Sequence, residues 1–70
     1  MPLDIATKES IIGTLMAQFE AQRYSNEVMG QAWNSIGNAE MAAKCAEGVA
    51  ENVKILTELQ KRREALAVPK

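Results

Sequence analysis

The chain has 70 residues, 47% of them apolar, and its nine acidic and eight basic side chains leave a net charge of −1. One small domain is all that this length supports, and domains of this size usually need disulfides, a metal or a partner subunit to complete their burial. A single cysteine, Cys45, excludes an intrachain disulfide, and the lack of histidine removes the commonest metal ligand and general base. The near-neutral balance excludes a global field toward nucleic acid or an anionic membrane. Oligomerisation is the staple that remains, and enzymatic and cofactor-dependent functions recede. Apolar runs are short, and the basic and apolar regions of a signal peptide are missing. The expectation is a soluble, cytoplasmic protein, complete from Met1, with no cofactor.

Asp4, Thr7 and Glu9 suit the start of a helix. From there residues recur with a seven-residue period. Ile5, Ile12, Phe19, Asn26 and Trp33 hold one position, and Leu15, Gln22, Met29 and Ile36 hold a second, three residues on. This spacing predicts a helix over about 5–36 with a coiled-coil-like seam. The stretch RYSNE at 23–27 offers Ser25 or Asn26 as an internal cap, so a three-helix chain is the alternative.

The stretch SIGNAE, Ser35 to Glu40, follows. Extending the first pattern would put Glu40 and Ala43 on the seam, where Met41, Ala42 and Cys45 belong. Gly37 can adopt the left-handed conformation that ends a helix, and Asn38 is a favourable N-cap with Glu40 in the first turn behind it. A turn at 37–38 is predicted, then a second helix over about 39–67. Its seam is Ala42, Val49, Leu56 and Arg63 at one position and Cys45, Asn52, Leu59 and Leu66 at the other, with KRR at 61–63 near its end and Pro69 closing it.

The fold class is therefore all-α, a single antiparallel helical hairpin spanning 1–70, each arm about 45 Å long at 1.5 Å per residue. Facing residues should have numbers adding to about 75, which sets Trp33 against Ala42, Met29 against Cys45 and Ala46, Phe19 against Leu56, and Leu15 against Leu59 and Gln60. Large residues meet small ones near the turn.

Flanking apolar residues, Met41, Ala46, Val53 and Ile55 on the second helix and Ile11 and Met16 on the first, widen the stripe beyond what one neighbour needs. We expect Ile11, Met16, Val53 and Ile55 to mediate self-association, with a homodimer of hairpins forming a four-helix bundle as first choice. Gln22, Asn26 and Asn52 lie on seam positions, where polar residues set register or oligomer state, or line a ligand pocket between hairpins.

Other candidates are weaker. Cys45 has no base or electropositive setting beside it and is expected in the core. Glu47 and Glu51 share a solvated face with Lys54. Lys61, Arg62 and Arg63 form the one basic cluster that could meet nucleic acid, but Glu58 and Glu64 interleave and no aromatic residue accompanies them. Tyr24 and Val28 fall outside the seam, with Ala17 and Ala21 on their line and Arg23 beside it, as expected of a docking face for a larger protein. The function expected is a non-enzymatic interaction module, an adaptor, assembly factor or inhibitor. The alternatives are a nucleic-acid-binding hairpin dimer and a small-ligand binder at hairpin interfaces.

Overall fold

The computed structural model describes residues 2–67 and contains two helices, α1 (Ile5–Ser35) and α2 (Ala39–Ala67), packed antiparallel along their length. The second helix begins and ends where the periodicity places it, and the first ends one residue short, with Ile36 as its C-cap. Asp4 starts α1: its Oδ1 accepts from the Thr7 backbone N–H at 2.7 Å, and hydrogen bonding from the Thr7 side chain, then from its backbone, lowers the carboxyl below its usual value. The chain does not break at Ser25 or Asn26, because Asn26 turns its side chain toward α2 instead of capping a new helix. Pro69 lies outside the described residues.

The turn follows from two residues. Gly37 sits at φ +80°, the left-handed region. Its N–H donates to Asn34 O at 3.0 Å and that of Asn38 to Trp33 O at 2.9 Å, the paired bonds of a Schellman cap. Asn38 then opens α2, its Oδ1 accepting from Met41 N at 3.1 Å.

One expectation is corrected. On α1 the first seam position holds from Ile12 on, with Ile12, Phe19, Asn26 and Trp33 half-buried and Ile5 exposed at the open end, but the second lies four residues on, at Met16, Arg23 and Gly30. Leu15, Gln22, Met29 and Ile36 are exposed. The physical reason is close approach: a Cβ on Gly30 would stand 3.3 Å from Cys45 Cβ, so the small residue, not Met29, lies against α2. On α2 the predicted seam is the observed one as far as Leu59 and again at Leu66, while Arg63 is exposed near the open end.

The result is a rod of 53 × 17 × 15 Å with a radius of gyration of 16.1 Å, against about 11 Å for a globule of this length. Among the described residues only Ala42, Asn52 and Leu56 are buried, and none of these is on α1. The surface of 5369 Å² exceeds by about 1,000 Å² what a folded monomer of this mass usually exposes.

The two outer glycines make a paired prediction. Gly37→Ala forces a side chain into the left-handed region and should destabilise the hairpin by about 1 kcal/mol. Gly13→Ala meets nothing within 4 Å in mid-helix and should stabilise it by about 0.8 kcal/mol. Urea denaturation followed by circular dichroism reads both.

Candidate functional site

Midway along the rod, three amides cross from one helix to the other. Asn26 Nδ2 donates to Asn52 Oδ1 at 2.9 Å, and Asn52 Nδ2 donates to Gln22 Oε1 at 3.3 Å. Asn52, 6% exposed, is thereby satisfied as both donor and acceptor, as a buried amide must be. Gly48 makes the arrangement fit. A Cβ there would lie 2.8 Å from Asn26 Nδ2 and 3.1 Å from its Cγ, so a bare backbone is what lets the Asn26 side chain reach across. Gln22 is exposed, and an amide whose oxygen is directed inward turns its nitrogen away from the hairpin.

The chain of amides separates two unlike faces. On one, α1 contributes Ile11, Leu15, Gln22, Met29 and Ile36 at spacings of four or seven, and α2 contributes Met41, Gly48, Ile55 and Arg62 at spacings of seven. The two stripes share a side because Ile11 and Arg62 line one groove of about 410 Å³ at the open end, with Leu3, Lys8, Ile12, Ala65 and Leu66. Ile36 is 72% exposed and Ile11, Leu15, Met29 and Ile55 are more than a third exposed. Lys8 and Arg62 are the charged residues that line this groove, both cationic and both at the open end.

The opposite face is charged. Met16, Glu20, Arg23, Val53, Gln60, Lys61 and Glu64 line a groove there, continued toward the turn by Glu27, Gln31, Asn34 and Ala46. Arg23 leans into it with Nη2 2.9 Å from Glu20 and Nε 3.9 Å from Glu27. That Nε is buried without a hydrogen bond, so the guanidinium is held by charge more than by fit.

These positions divide the residues singled out from sequence. Ile11 and Ile55 lie on the apolar face, whereas Met16 and Val53 line the charged groove. Tyr24, 68% exposed, and Val28 stand on the back of α1 with Ala17 and Ala21, but Arg23 turns away from them into the charged groove. The basic residues fan apart: Lys61 pairs with Glu58 at 3.3 Å, Arg62 lines the apolar groove and Arg63 is exposed. Cys45 is half-buried against Gly30, and Glu51 pairs with Lys54 at 3.7 Å. No group of three metal-ligating side chains comes together among the described residues. None of their helices is long and apolar enough to cross a membrane.

Sequence reading missed Gly30 as a packing residue; Gly48 falls in the Ala- and Gly-rich run that was expected to let α2 approach closely, but not as the notch for Asn26. A glycine at heptad spacing from large apolar neighbours was the available signal. Comparison with protein-family models, curated proteins and solved structures finds no match to this chain.

The Gly48 notch is testable by a double-mutant cycle. Gly48→Ala should destabilise the hairpin by about 1–2 kcal/mol, since it displaces the Asn26 amide from Asn52 and strands a buried polar group. In an Asn26→Ala background the same substitution should cost nothing or stabilise α2, and chemical denaturation of the four proteins measures the coupling.

Proposed function

We propose that this protein is a non-enzymatic interaction module: a helical hairpin that associates with itself through its apolar face and presents its remaining helix faces to a larger protein. The observation that carries this reading is the stripe of exposed Ile11, Leu15, Met29, Ile36 and Ile55 on one side of the rod. Contiguous apolar area of this kind on a small protein marks an interaction surface. A second support is quantitative. The surplus of about 1,000 Å² over an ordinary monomer is close to the roughly 800 Å² that each partner of a standard interface buries.

The charged groove does not compete for this role, because Glu20, Glu27 and Glu64 would each have to give up water to be covered. The back of α1 stays available whichever neighbour covers the apolar face, since Tyr24 and Val28 project elsewhere. An exposed tyrosine beside a β-branched residue and small alanines is a fitting contact for a second, different protein, because aromatic anchors dominate such interfaces. This assigns the adaptor, assembly-factor or inhibitor role to Tyr24, Val28 and Ala21, with the self-associated bundle as its scaffold.

Solution mass by light scattering over a dilution series tests the scaffold. The native chain should exceed monomer mass. Ile55→Lys or Leu15→Glu should shift it toward monomer by at least tenfold in concentration, as burial of an unpaired charge requires. Val53→Lys, in the charged groove, should leave the mass unchanged. A native chain that is monomeric at every concentration would refute self-association.

The docking role has its own readout. Tyr24→Ala and Val28→Ala should keep helicity and mass while abolishing capture of the protein partner from the source organism's extract. Undiminished capture would remove this surface from the proposal.

A further inference from the structure

We draw no further inference here: the strongest candidate, the apolar groove at the open end of the hairpin between Ile11 and Ile12 of α1 and Leu66 of α2, with Lys8 and Arg62 on its walls, carries nothing, because nothing in the structure shows what covers it.

Discussion

The close packing at the two bare positions, Gly30 against Cys45 and Gly48 against the Asn26 side chain, is the constraint on which the rest depends. Where side chains are absent, helices can come nearer than the usual separation, and the neighbouring positions are then decided by space more than by hydrophobicity. Gly30 draws Cys45 into the seam and pushes Met29 to the flank. Gly48 gives Asn26 room to reach Asn52. The rod covers the large seam residues Ile12, Phe19, Trp33 and Leu59 only in part, and leaves Leu15, Met29, Ile36 and Ile55 exposed on its flank. Such an interior contributes little hydrophobic stabilisation, since among the described residues Leu56 is the only large apolar one that is buried. The stability that the seam forgoes is on offer at the outer stripe.

Much of this was legible in the sequence and part was not. The turn was readable because Gly37 and Asn38 have conformational preferences strong enough to act locally. The α2 seam was readable because small and large apolar residues there alternate with charged ones, so the period has one solution. On α1 two solutions existed. Leu15, Met29 and Ile36 lie three residues after the first seam position, Met16, Arg23 and Gly30 four after it, and hydrophobicity favoured the former. The hairpin adopts the latter because the neighbour's shape decides which flank of a helix is covered, and shape is a property of the pair. Arg23 shows the same limit. Its place beside Tyr24 in sequence suggested a shared surface, but adjacent helical positions point about 100° apart, and Glu20 and Glu27 hold the guanidinium on the other side.

The unlike character of the two long faces also bears on what kind of assembly can form. A helix pair with two equivalent apolar sides would stack without limit, whereas a rod with one apolar and one charged side saturates after a single pairing. Glu20, Arg23 and Glu27 form small ion pairs whose direct contribution to stability is slight. Their greater effect is to keep that side hydrated, which would close the assembly we propose. The cluster contributes by what it prevents.

Position along the rod has a kinetic meaning as well. In a two-helix hairpin the sequence separation of facing residues grows steadily from the turn outward, and the entropy lost on closing each successive contact rises with it. Gly37 and Asn38 make the first closure nearly local. The amide pair Asn26 and Asn52 is met only when about half the length has come together, so an arm that has slipped by one turn reaches that point with its polar groups unmatched. The layer of amides thus stands as a proofreading station on the way from the turn to the open end, admitting one alignment of the arms before Leu66 can seat against α1.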